Sequence, residues 1–129
     1  MGSTEAGSSL HSFGVAEDFK GRPFTPTFRQ GVLGYSIDNF VETFDPPFPN
    51  HIKIDVDGIE DRIVKGAERT LADPRLKSVS VELVEDHGDQ VSEVVSLREF
   101  AGLRLLHKKQ GPMATGEFAT TFNYLFEKH

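Results

Sequence analysis

The clearest signal in the chain is a change of hydrophobic period between residues 51 and 84. From His51, Ile52, Ile54 and Val56 fall on one face, while Lys53, Asp55 and Asp57 fall on the other. That two-residue period predicts a half-buried strand. Gly58 interrupts it. Ile59, Ile63, Val64, Ala67 and Leu71 then recur at helical spacing, which predicts a helix over 59–72 ended by Pro74. Glu60 and Asp61 fall in its first turn, where the helix dipole favours acids. Residues 77–83 alternate again, with Val79, Val81 and Leu83 against Ser78, Ser80 and Glu82. Strand, helix and strand of this length make a right-handed βαβ crossover.

Downstream, residues 85–89 read as a turn, 90–101 as a helix carrying Val91, Val94, Val95 and Phe100, and 103–108 as a strand after Gly102. A Gly/Pro loop over 109–117 leads to a last strand, 119–126, in which Phe122, Tyr124 and Phe126 alternate. The last two strands are placed to pair antiparallel, so the sheet is expected to be mixed. Upstream, residues 1–9 are Gly/Ser-rich and expected to be mobile. Residues 10–50 hold seven of the eleven Phe and five of the seven Pro. Prolines break regular structure while phenylalanines want burial, so this arm is read as loop-rich but packed, either as a surface loop with aromatic anchors or as a lid. Within it, 28–34 reads as a short strand. Ser36 reads as the N-cap of a helix over 37–44, closed by Pro46 and Pro47.

Composition narrows the classes. One hundred and twenty-nine residues make one domain. Twenty acids against 14 bases give a net charge of −6, and the excess is spread along the chain. This argues against nucleic-acid and membrane-surface binding, which rely on clustered Lys and Arg. There is no cysteine, hence no disulfide, thiolate metal site or cysteine nucleophile. No apolar run is long enough to span a bilayer and no signal core opens the sequence, so the expected location is the cytoplasm. The five His have no metal-ligand spacing, and there is no Gly-x-Gly-x-x-Gly or P-loop.

The candidate chemistry is carboxylate chemistry. Ligands of open α/β sheets bind outside the carboxyl ends of the strands. The first strand ends in Asp55 and Asp57, the second in Glu82 with Glu85 beyond, and Glu60 opens the intervening helix. If the two strands are neighbours, about 4.8 Å apart, these acids share one rim. Such a set suits a general base, a grip on ligand hydroxyls, or a hard cation; no metal is assigned to it. In the plainer alternative, Glu60 serves the helix terminus and Glu82 pairs with Lys53. The strands' polar faces add a constraint. Central parallel strands are normally apolar on both sides, so either the site lies on this polar face or another piece of protein covers it.

Asp55-Val-Asp57-Gly58 admits three motif readings. A calcium EF-hand is rejected, because its glycine comes later and no entry helix precedes it. A hydrophobic strand ending in Asp-x-Asp-Gly is similar to the first motif of haloacid-dehalogenase-like phosphatases, but little else fits. The sequence Lys53-Ile-Asp-Val-Asp-Gly-Ile-Glu60, then Val64-Lys-Gly-Ala67, then Val81-Glu82-Leu83, resembles the FkbM-type methyltransferase family. Ser36-Ile37-Asp38 before the motif strand and Asn123-Tyr124 in the last strand extend the resemblance over roughly residues 30–126. Asp57 stands where the family usually has Glu.

This resemblance implies a partial Rossmann-like class I methyltransferase fold, with S-adenosylmethionine as cofactor and a hydroxyl, on a small molecule or a glycan, as acceptor. It implies that the chain carries the fourth and fifth strands and a closing hairpin of the sixth and seventh. The family's cofactor loop and ribose-binding acid have no counterpart in this sequence. The chain is therefore expected to be the C-terminal portion of the fold and to bind the cofactor weakly alone. By resemblance, Asp55 or Asp57 positions or deprotonates the hydroxyl or meets the cofactor's methionine end, with Glu60 and Glu82 in support. The alternative is a non-catalytic fragment or accessory subunit, completed by a partner chain or by a second copy.

Overall fold

The computed structural model describes residues 13–14, 16–17, 22–26, 28–56, 58–86, 91–92, 94–96, 101–111, 115–116 and 119–129. The expectations for residues 1–9, for Asp57 and for most of the 85–89 turn lie outside the described residues. The elements run α1 (Ile37–Phe44), β1 (His51–Ile54), α2 (Glu60–Lys65), α3 (Glu68–Ala72), β2 (Ser78–Val84), β3 (Leu103–Gln110) and β4 (Thr121–Lys128). Residues 91–92 and 94–96 are also helical.

The four strands form one mixed sheet in the order β1-β2-β4-β3. β1 and β2 are parallel; β4 runs antiparallel to both of its neighbours. The predicted βαβ unit and C-terminal hairpin are therefore present, with β4 inserted between β2 and β3. The fold is mixed α/β, with the strand pattern of a partial Rossmann-like methyltransferase. The core lies on one face of the sheet. Ile54, Val79, Val81, Leu83, Tyr124 and Phe126 pack there against Val64, Ala67, Leu71 and Val94 from the helical segments. Both parallel connections advance across the sheet in the same direction, so a common handedness puts their helices on the same side.

Helix α1 begins and ends as its sequence predicts. The Ser36 hydroxyl accepts from the Asn39 amide at 3.2 Å, and Asp45 closes the helix in a left-handed conformation. The second predicted helix differs from expectation. Instead of one helix over 59–72, α2 and α3 are separated at Gly66 and Ala67. The cause is a contact with α1. The Asp38 amide donates to the Gly66 carbonyl at 2.9 Å. The Asp38 carboxylate accepts from the Arg69 amide (3.0 Å), the Thr70 amide (2.8 Å) and the Thr70 hydroxyl (2.7 Å). An acid from a remote segment thus satisfies N–H groups at the start of α3. Gly66 makes the approach feasible, because a Cβ there would lie 2.8 Å from Ser36 Cβ.

Two further expectations are corrected. Residues 28–34 form no strand: they run irregularly with Phe28, Val32 and Leu33 largely exposed, and no described segment pairs with them. The last hairpin is longer and less regular than its alternation suggests. β3 extends into the expected 109–117 loop, β4 runs on to Lys128, and a bulge lies between Leu105 and His107. Pro74 does follow the end of α3, with the preceding Asp73 extended, as the residue before proline prefers.

Asp38 carries a pH signature. Burial alone would raise its carboxyl; the Thr70 hydroxyl and the Arg69 and Thr70 amides outweigh this and hold it below the usual carboxylate range. A depressed folded value means that the stabilisation is present above the unfolded value, about 3.9, and is lost as pH falls through the folded one. Asp38→Ala is expected to cost about 2 kcal/mol in urea denaturation at neutral pH. The gap between wild type and Asp38→Asn should close in strong acid. Gly66→Ala is expected to cost about 1–3 kcal/mol through overpacking. Ser36→Gly in the same chain should recover part of that loss, because it removes the colliding Cβ.

Candidate active site at the carboxyl rim of the sheet

Strand pairing arranges the second face of the sheet as three rows. Residues directly opposite one another in a sheet share a face. His51, Ser78, Glu127 and Arg104 make the lowest row, and Lys53, Ser80, Leu125 and His107 the middle one. Glu82, Asn123 and Lys109 make the third, the rim row; beyond it Val84 and the buried Thr121 share the same face at the end of β2. Continuing the β1–β2 register one step beyond Ile54 and Val81 brings Asp55 beside Glu82. Leu125 is the one apolar side chain in these rows. None of their residues is buried. The polar strand face anticipated from alternation is thus partly or fully exposed along these three rows.

The rim row carries the chemistry. Asp55 and Glu82 lie side by side on neighbouring strands, close enough for the Asp55 charge to act on Glu82. Lys53 Nζ lies 2.7 Å from Asp55 Oδ2. The plainer sequence alternative paired this lysine with Glu82 directly; its ion pair is with Asp55. Glu82 is raised above the usual range, by burial first and then by the neighbouring Asp55 charge and hydrogen bond. Asn123 Nδ2 donates to Glu82 Oε1 at 3.3 Å and, with Lys53, opposes that rise.

Glu60 is placed elsewhere. It is 4% exposed, and its carboxylate accepts the Gly58 amide at 3.1–3.2 Å. It thereby ties down the turn between β1 and α2. Gly58 adopts φ +113, which accounts for glycine at this point of the motif. Asp57 lies outside the described residues. The structure thus brings Asp55 and Glu82 together and turns Glu60 onto its own loop.

Sequence reasoning did not single out Asn123 as a partner of this pair, because its neighbourhood depends on where β4 inserts. It also missed a second polar cluster, on the packed face at the same end of the sheet. Lys108 Nζ pairs with Glu85 Oε1 and stands 4.1 Å over the Phe122 ring. The Tyr124 hydroxyl donates to the same Glu85 oxygen at 2.5 Å. Lys108 first, and then Tyr124, hold Glu85 below the usual carboxylate range; burial and Glu85 push the Tyr124 phenol up. These groups strap β3 to the chain leaving β2. Among the described residues no group of three or more His, Asp or Glu side chains could hold a metal ion, and no helix is long and apolar enough to cross a membrane.

A raised carboxyl reverses the sign seen for Asp38. Ionising Glu82 costs stability, so its contribution is lost as pH rises through its folded value. Glu82→Gln is expected to raise the melting temperature more at pH 7 than at pH 4. Asp55→Asn should bring the Glu82 titration midpoint down, as read from carboxyl ¹³C shifts.

No curated protein and no solved structure matches the chain. A family comparison does give a match: residues 4–111 correspond to the methyltransferase FkbM domain. The matched region begins well before the motif strand, so it takes in the Phe/Pro-rich arm, and it stops short of β4. It contains the Asp38 clamp, the Asp55 rim and the Lys109 end of the polar row. With most of its length matched, the chain belongs to the FkbM methyltransferase family.

Proposed function

We propose that this chain forms the acceptor-activating part of an S-adenosylmethionine-dependent O-methyltransferase. Family membership supports methyl transfer. The observation that carries the choice of a hydroxyl acceptor is the Asp55–Glu82 pair at the carboxyl rim, with Glu82 raised and Asp55 ion-paired to Lys53. A base with an elevated pKa takes a hydroxyl proton more readily than an ordinary carboxylate. Once ionised, Glu82 accepts the acceptor hydroxyl's proton, while Asp55 and Asn123 hold the hydroxyl and the base in line. The cofactor, when bound, supplies an electrophilic methyl group on a sulfonium. Proximity and alignment make up most of the remaining catalysis.

The residues present fit only part of that cofactor. The rim offers carboxylates to its ammonium end, but the sequence has no Gly-x-Gly-x-x-Gly turn for the adenosine side. We therefore propose that further strands, from another chain or another segment, complete the cofactor half. Two observations favour completion next to β1. Among the described residues β1 pairs with β2 alone, and the neighbouring core residues Ile52, Val56 and Ile63 are only partly buried. The same observations suit the accessory-subunit reading, in which the chain itself lacks activity. A divalent-metal phosphatase finds no such support.

The two readings separate by calorimetry and a methyl-transfer assay. The chain alone is expected to bind S-adenosylmethionine weakly, and addition of the completing segment should restore both binding and transfer to a hydroxyl acceptor. In the completed enzyme, Glu82→Gln is expected to lower kcat by about 10²–10⁴-fold. Full activity of that variant would remove Glu82 from the mechanism.

A further inference from the structure

The exposed polar face holds more than the carboxylate pair. In a chain with a net charge of −6, β3 carries Arg104, His107, Lys108 and Lys109 and no acid. Plain alternation from Arg104 would send Leu106, Lys108 and Gln110 to the open face, and His107 and Lys109 to the packed one. The bulge between Leu105 and His107 changes that parity. After it, His107 lies opposite Leu125 and Lys109 opposite Asn123, on the same face as Arg104 opposite Glu127. Three basic side chains thus form one exposed column.

We propose that this face binds an anionic, hydroxyl-bearing carbohydrate. Its acid group lies on the His107–Lys109 end of the column, and its reacting hydroxyl lies at Asp55 and Glu82. The inference rests on the methyl-transfer reading and assigns its acceptor class. Lys109 stands two strands from Glu82 in the rim row, about 10 Å away, the span of two sugar rings rather than one. Asn123 lies between them, offering an amide that both donates and accepts. Arg104 faces Glu127, so the cationic character is strongest toward the rim. Charged residues and a bulge also discourage strand addition at an exposed edge. That role needs charge along the edge, however, and does not require three bases aligned on the face that carries the carboxylates. The rows contain no aromatic side chain on which a base would stack, which disfavours a single-stranded nucleic acid.

The test is an amide NMR titration of the full chain with trigalacturonate, using maltotriose as the neutral control. Trigalacturonate is expected to shift the rim and middle rows saturably. Its affinity should fall about tenfold in the Arg104→Gln/Lys109→Gln variant and also weaken as salt is raised. A glucose 6-phosphate arm tells a phosphate from a carboxylate as the recognised anion. Circular dichroism and melting temperature check that the variant remains folded. Equal binding of maltotriose, unchanged affinity in the variant, absence of shifts on this face, or tighter binding of oligothymidylate would each overturn the proposal. Methyl transfer to a neutral hydroxyl without uronate binding would sink this inference and leave the proposed function standing. Uronate binding without methyl transfer by the completed enzyme would do the reverse.

Discussion

The Asp38 carboxylate is the interaction on which the helical layer depends. It satisfies N–H groups at the start of α3, and its own amide bonds the Gly66 carbonyl at the end of α2. The first N–H groups of a helix have no partner within it, and here Asp38 supplies one from another segment. With Asp38 in place, the segment between β1 and β2 bends into two short helices rather than one. Val64, Ala67 and Leu71 still reach the sheet. Gly66 is part of the same device, since any side chain there would push α1 away.

The core is one-sided, and that decides where function can lie. The buried apolar strand residues face the helices, while the opposite face is mostly polar, with Leu125 among its rows and Val84 beside the buried Thr121 at the carboxyl end of β2. Pairing β1 with β2 sets Asp55 beside Glu82. Burial and the Asp55 charge then raise Glu82 above the usual carboxylate range, while Lys53 pairs with Asp55. Glu60 belongs to the frame of this site: its buried carboxylate secures the glycine turn that lets the chain leave β1 for α2.

Local rules read correctly where the residues that decide a feature are adjacent in sequence. The Ser36 cap, the bounds of α1, the alternation of β1 and β2 and the stop before Pro74 all follow from near neighbours. The features that escaped them depend on distant partners. The split at Gly66 needs Asp38, 28 positions earlier. The strand expected over 28–34 has suitable residues but pairs with no described segment. The bulge in β3 is an adjustment to β4 that leaves no local mark in Leu103–Gln110.

By itself, then, the sequence determined the element order, the mixed α/β class, the family resemblance and the acidic rim near the motif strand. These rest on hydrophobic period, glycine, proline and capping residues, all of which act over a few positions. Tertiary structure decided which acids meet, which one is raised, and which bases join them on the open face. Those outcomes depend on strand order and register. A shift of a single residue in a strand sends its side chains to the other side of the sheet.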